Sequence, residues 1–132
     1  MTDPIADMLT RIRNAVKVGK PEIILPYSRV KFEIVKILER EGYLQSVEKR
    51  NGKITSTSEL KCGVAYLAKG VSPIHVIKRI STPGRRLYVG YRDLPRAGSG
   101  AGLAIVSTPK GIMTSKEARK LKLGGEIICE VY

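Results

Sequence analysis

Leu103-Ala-Ile-Val-Ser-Thr-Pro-Lys-Gly-Ile-Met-Thr-Ser-Lys-Glu-Ala-Arg-Lys-Leu-Lys-Leu-Gly-Gly-Glu-Ile-Ile-Cys-Glu-Val-Tyr132 decides the fold. Leu103 to Val106 is a short apolar run and reads as a buried strand. Ser107-Thr108-Pro109-Lys110-Gly111 breaks it tightly, and Ile112-Met113 can resume it. Thr114 and Glu117 have capping-box spacing, which predicts a short helix to Leu123. Gly124-Gly125 end that helix, and Glu126 to Tyr132 alternates as a last strand. This carboxyl-terminal stretch is therefore mainly β with one short helix.

Working back, Arg86 to Tyr91 reads as a strand, Pro83-Gly84 as a turn, and Ile74 to Ile80 as another strand. Residues 97–102 (Ala-Gly-Ser-Gly-Ala-Gly) read as a loop. Gly70 to Pro73 gathers Gly, Ser and Pro and marks a lobe boundary.

The other half follows a different rhythm. Asp3 and Pro4 open a helix whose apolar positions are Ile5, Met8, Leu9, Ile12 and Val16. Gly19 closes it. Glu22 to Leu25 is a strand. Ser28 caps a second helix with Val30, Ile34, Ile37 and Leu38 on one face, stopped by Gly42. Tyr43 to Arg50 reads as a strand, Asn51-Gly52 as a hairpin turn, Lys53 to Thr57 as the returning strand and Lys61 to Leu67 as a further one. The expected fold is α+β in two small lobes. Residues 1–70 run α-β-α-β-β, give or take a strand, and residues 71–132 form the mainly β lobe.

The 132 residues carry 24 Lys and Arg against 12 Asp and Glu, a net charge of +12. The excess is local: all 12 basic residues of the second half lie between Lys69 and Lys122, with only Asp93 and Glu117 among them. Solubility is ordinarily served by interspersed signs, so a polyanionic partner is expected. No apolar run approaches the ~20 residues of a membrane span. Asp3 and Asp7 break any leader-like apolar stretch. The basic first helix has no Trp or Phe to anchor it on a membrane surface. Cys62 and Cys129 are far apart with only His75 to join them, so neither a zinc site nor any other metal or cofactor is expected, and a reduced cytoplasmic setting follows.

Catalysis has little to work with. His75 sits in a strand pattern, and no base stands beside a nucleophile. Glu39 and Glu41 flank Arg40 on a helix and read as a solvated surface. The glycines at 98–102 precede a strand and lack the Lys and hydroxyl of a phosphate loop. A hydrolase or nucleotide enzyme with a small-molecule substrate is thus disfavoured against nucleic-acid binding.

Duplex RNA presents a wide, shallow groove lined with 2′-hydroxyls and phosphates. Ser107 and Thr108 are short donors and acceptors suited to it, and Lys110 suits a phosphate. Gly111, Gly124 and Gly125 allow close backbone approach. Glu126 could accept from a ribose hydroxyl or base amino group, or orient Lys110 or Arg86. Arg86 can fork a phosphate, and Tyr88 can stack on a base.

At this point several stretches carry a resemblance. They are Thr2-Asp-Pro-Ile-Ala-Asp-Met-Leu-Thr-Arg-Ile-Arg-Asn-Ala15, Ile80-Ser-Thr-Pro-Gly-Arg-Arg-Leu-Tyr-Val-Gly90, Ser107-Thr-Pro-Lys-Gly111, Glu117-Ala-Arg-Lys-Leu121 and Gly124-Gly-Glu-Ile-Ile-Cys-Glu-Val131. Together they resemble the signatures of bacterial small-subunit ribosomal protein eight, from the first residue to the last. The resemblance implies two α/β lobes, no catalytic group, and direct binding to the central domain of 16S ribosomal RNA during assembly of the platform. It implies main contacts by Ser107, Thr108, Lys110, Gly111, Gly124, Gly125 and Glu126. Arg13, Asn14, Ser28 and Lys31 are candidates for secondary RNA contacts from the amino-terminal lobe. Proteins five and twelve of the small subunit are the implied neighbours. Position 109 departs from the usual Ser, since Pro109 lacks both the hydroxyl and the N–H.

Overall fold

A computed structural model describes residues 3–51, 58–67, 70–95 and 102–132. Two compact units emerge. One is Thr10–Pro73; the other joins Ile74–Tyr132 with the chain up to Leu9. The first helix, α1 (Pro4–Val18), therefore contributes its opening turns to one unit and the rest to the other. The boundary expected after residue 70 lies close to Pro73, where the first unit ends.

In the unit Thr10–Pro73 the order after α1 is β1 (Glu22–Pro26), α2 (Arg29–Arg40), β2 (Leu44–Asn51) and β3 (Ser58–Val64). The α-β-α-β-β order is as read from sequence. The antiparallel sheet runs β1-β3-β2. Alternation buries Leu60, Cys62 and Val64 of β3 with Ile23 and Leu25 of β1, while α2 adds Ile34, Val35, Ile37 and Leu38. The α2 start is local chemistry: the Ser28 Oγ accepts from the Lys31 N–H at 3.2 Å.

Two details differ from the sequence reading. The strand paired with β2 is Ser58–Val64, with Asn51 opposite Ser58. The Gly52 turn and the return strand over 53–57 lie outside the described residues. Glu39 is more than a solvated charge. Its Oε2 accepts the Val47 N–H at 2.9 Å while Oε1 takes the Lys36 Nζ at 2.9 Å. It thereby satisfies a backbone donor on the edge strand β2, just past a register shift between Leu44 and Ser46.

The second unit holds β4 (Ile77–Arg79), β5 (Tyr88–Val89), a 3-10 turn at Tyr91–Asp93, β6 (Leu103–Thr108), β7 (Gly111–Thr114), α3 (Ser115–Lys120) and β8 (Gly125–Val131). It is mainly β with one short helix, as expected. The antiparallel sheet runs β4-β8-β6-β7, and β5 also pairs with β8. Leu94, Val106, Ala118 and Ile127 form a core cluster, with Ile80, Val89, Tyr91 and Met113 packed against it.

The expected strands 74–80 and 86–91 are shorter because they share one edge of β8. Cys129–Val131 pair with β4, and Gly125-Glu126 with β5. A register shift between Ile105 and Val106 leaves Ile128 outside the β6 pairing. The Ile128 carbonyl instead accepts the Arg79 Nη1 at 2.8 Å and the Ile80 N–H at 3.0 Å. Arg79 Nε also meets the Asp3 Oδ2 at 3.2 Å, while Asp3 Oδ1 caps α1 through the Ala6 N–H.

The end of α3 is a correction. Thr114 and Glu117 do form the capping box. Gly124-Gly125, however, do not make the stop. Leu123 N–H donates to the Ala118 carbonyl and Lys122 N–H to the Arg119 carbonyl, a Schellman motif. Its left-handed residue is Lys122, φ +58°. The two glycines answer a different need.

Candidate nucleic-acid interface

Three strands bring distant residues into one row. Glu126 on β8 lies opposite Tyr88 on β5 and opposite Ser107 on β6. Directly opposed residues on neighbouring strands point to the same face of a sheet. Tyr88, Glu126 and Ser107 therefore stand side by side, and they line an open groove of about 560 Å³ with Val89, Gly90, Thr108, Pro109, Gly124 and Gly125.

The groove floor explains the glycine pair. A Cβ on Gly125 would overlap the Ser107 carbonyl oxygen and lie 2.9 Å from its carbon. A Cβ on Gly124 would overlap the Val89 carbonyl oxygen and lie 2.8 Å from the Gly90 Cα. Only a bare backbone fits between β5 and β6 here. These glycines make room for neighbouring strands before any ligand arrives.

The loop beside the groove is a two-residue hairpin connection, Pro109-Lys110, since Thr108 pairs with Gly111. Strand β6 thus runs on through Ser107 and Thr108, two residues past its expected end. Thr108 is buried. Its Oγ1 donates to the Gly111 carbonyl at 2.8 Å and accepts from the Lys110 N–H at 3.2 Å. That hydroxyl holds the turn. Gly111 has φ +119°, a backbone closed to side chains with a Cβ. Lys110 is exposed and forms no ion pair among the described residues. The Ser107 hydroxyl likewise has no side-chain hydrogen bond among the described residues, and it faces the groove.

Of the partners considered for Glu126, Arg86 is the one it holds. Its Nη1 donates to the Glu126 Oε2 at 3.1 Å, and the Glu126 hydrogen bond holds the guanidinium pKa above its ordinary value. Glu126 is 13% exposed and Arg86 52%. The carboxylate sits at the base of the groove and the guanidinium at its rim. Tyr88 is 67% exposed, so its ring offers a free face rather than core packing.

The four residues from the other unit are not gathered in this way. Arg13 and Asn14 are exposed on α1, and Asn14 lines a separate groove with Arg11, Lys20 and Glu22. The Ser28 hydroxyl is engaged in its cap. Lys31 is 8% exposed.

Both units hold paired and unpaired cations: Lys78 pairs with Glu130, Arg79 with Asp3 and Arg86 with Glu126 in the unit with the groove. In Thr10–Pro73, Arg29 pairs with Glu33, Arg50 with Glu59, and Lys61 with Glu22 and Glu48. In the other unit Arg85, Lys110, Lys116, Lys120 and Lys122 are exposed and form no ion pair among the described residues. These uncompensated cations give the unit a surface that attracts anions. No cluster of metal-ligating side chains occurs among the described residues, nor any helix long and apolar enough to cross a membrane.

Sequence reading missed Val89 and Gly90 as groove residues. Their adjacency to Tyr88 in a strand was the available signal.

Residues 3–132 match the family described as Ribosomal protein S8. The chain belongs to the ribosomal protein S8 family. The small ribosomal subunit protein uS8 of Thermus aquaticus is 53% identical, with 100% of this chain and 99% of the relative covered. That of Porphyromonas gingivalis is 51% identical over 100% of both chains, and that of Koribacter versatilis 42% identical over 99% and 97%. Ribosomal protein S8 is structural and non-enzymatic, a constituent of the small subunit of the cytoplasmic ribosome with ribosomal RNA as partner.

Proposed function

We propose that this S8 protein binds the central domain of 16S ribosomal RNA directly, at a helix with an irregular core, and so helps assemble the platform. The single observation that carries the reading is the row Tyr88–Glu126–Ser107 in one open groove. Each member offers a different kind of contact. The Tyr88 ring stacks on an unpaired base or a ribose. The Ser107 hydroxyl exchanges hydrogen bonds with a 2′-hydroxyl. Glu126 accepts from a ribose hydroxyl or base amino group while keeping Arg86 at the rim, where the guanidinium meets a phosphate. A plain duplex offers no splayed base for Tyr88, so an irregular helix is preferred.

Lys110 supplies a phosphate contact beside the groove. Thr108 and Gly111 act through the hairpin they hold, and Gly124 and Gly125 through the strand spacing they permit. Arg13 and Asn14 make secondary RNA contacts from α1. Ser28 serves that second surface by capping α2, and Lys31 is kept as a candidate secondary contact beside it. Small-subunit proteins five and twelve are the proposed neighbours.

The test is affinity for the central-domain helix and for a plain duplex of equal length, each titrated across salt. Tighter cognate binding that persists at physiological salt is expected. Lys110→Ala should lower the salt slope by about one unit or less. Equal, steeply salt-dependent binding to both RNAs would overturn the reading, because charge alone would then account for it.

A further inference from the structure

We propose that Lys122 is a second phosphate-binding ammonium of the groove, set there by its left-handed backbone. The inference rests on the RNA-binding reading of that groove. Among the described residues, Lys122 is the one non-glycine residue with positive φ. Its place is the C′ position of a Schellman motif, where glycine or asparagine is the usual occupant because a Cβ is disfavoured. A lysine there runs against local preference, and such exceptions gather where the side chain is used.

Helix capping does not explain it. Arg119 and Lys120 already place two cations in the last turn of α3. Lys122 is exposed and forms no ion pair among the described residues. Position decides what it can reach. Gly124, two residues on, is part of the groove lining. Two residues span at most about 7 Å, within the reach of a lysine side chain. Lys110 follows the end of β6 and Lys122 precedes the start of β8, and because β6 and β8 are antiparallel both lie beyond the same end of the groove row. A nucleic-acid backbone that runs along that end of the row, past Thr108 and Gly124, would meet both ammonium groups.

The test separates backbone from charge. Lys122→Gly removes the ammonium and suits the left-handed position; Lys122→Asn also tolerates it without charge; Lys122→Arg keeps the charge. Thermal melting without RNA is paired with affinity for the central-domain helix across salt. Lys122→Gly is expected to melt no lower than the parent protein. Its affinity should fall by about three- to tenfold and its salt slope by about one unit or less. Lys122→Asn should follow it in affinity, and Lys122→Arg should keep parental affinity. Unchanged affinity and slope in Lys122→Gly, with the parent still preferring the cognate helix, would overturn this inference alone. A lower melting temperature in Lys122→Gly would overturn it as well, since the lysine would then be a stabilising cap. A parent that shows no preference for the cognate helix would overturn the groove reading and this inference with it.

Discussion

Gly125→Ala is the sharpest test of what the glycine pair does. The added methyl would overlap the Ser107 carbonyl oxygen and stand 2.9 Å from its carbon and 3.2 Å from the Thr108 Cα. All three neighbours are backbone, so no rotamer change relieves the clash. Reaching an ordinary carbon–carbon separation requires strands β6 and β8 to part by at least about 0.5 Å. That stretches the pairing around Ser107 and Glu126. Overpacking of this kind costs about 1–3 kcal/mol, and a weakened ladder hydrogen bond about 1 kcal/mol more. The expected loss is about 2–4 kcal/mol, or roughly 8–15 °C in melting temperature for a domain of this size. Urea unfolding and calorimetry read it directly. Gly90→Ala is the control. Gly90 lines the same groove, yet a Cβ there meets nothing within 4 Å. It should change stability by no more than about 0.5 kcal/mol. If Gly125→Ala melts with Gly90→Ala and still loses RNA affinity, the reasoning is refuted. The glycine would then serve the approach of RNA rather than of β6.

Two further outcomes follow from the geometry. Thr108→Val should destabilise by about 1–3 kcal/mol, because the Gly111 carbonyl and Lys110 N–H both lose their partner, while Thr108→Ser should recover most of it; equal stability of Thr108→Val and the parent in urea would show that the hydroxyl does not hold the turn. Burial pushes the Cys129 thiol up to about 12 and, with Glu39 adding to it, the Cys62 thiol up to about 11. Both folded values lie above the unfolded one, so the stability they contribute is present below about pH 8.5 and is lost as pH rises toward those values. Native protein at pH 9 should therefore resist a thiol reagent that labels both cysteines in urea, and rapid native labelling would contradict the burial.

The helix starts were legible because capping is local. Asp3, Ser28 and Thr114 each bond a backbone N–H three residues ahead, and that spacing is written in the chain. Strand partners were not. Nothing near residue 58 says that β3 will lie between β1 and β2, or that β4 and β5 will divide one edge of β8. The same distinction governs the site. Ser107, Thr108, Gly124, Gly125 and Glu126 stood out as residue types, and Tyr88 joined them only as a possibility. Which of them face the groove and which support it depends on register. Thr108 and the glycines read from sequence as contacts, and the fold gives them structural work. Glu39 shows the reverse case: a surface-looking carboxylate whose partner, Val47, is visible only once β2 is in place.

Strand β8 pairs with β4, β5 and β6, and it follows all three in the chain. The groove row needs Glu126, which lies on that strand. During synthesis the earlier strands must wait with one edge open, and no shorter nascent chain can display the complete recognition surface. The groove therefore forms all at once, when β8 joins the sheet. If the groove row is the recognition surface proposed above, a chain still short of residues 125–131 lacks Glu126 and its neighbours, and truncation within β8 should abolish recognition rather than grade it.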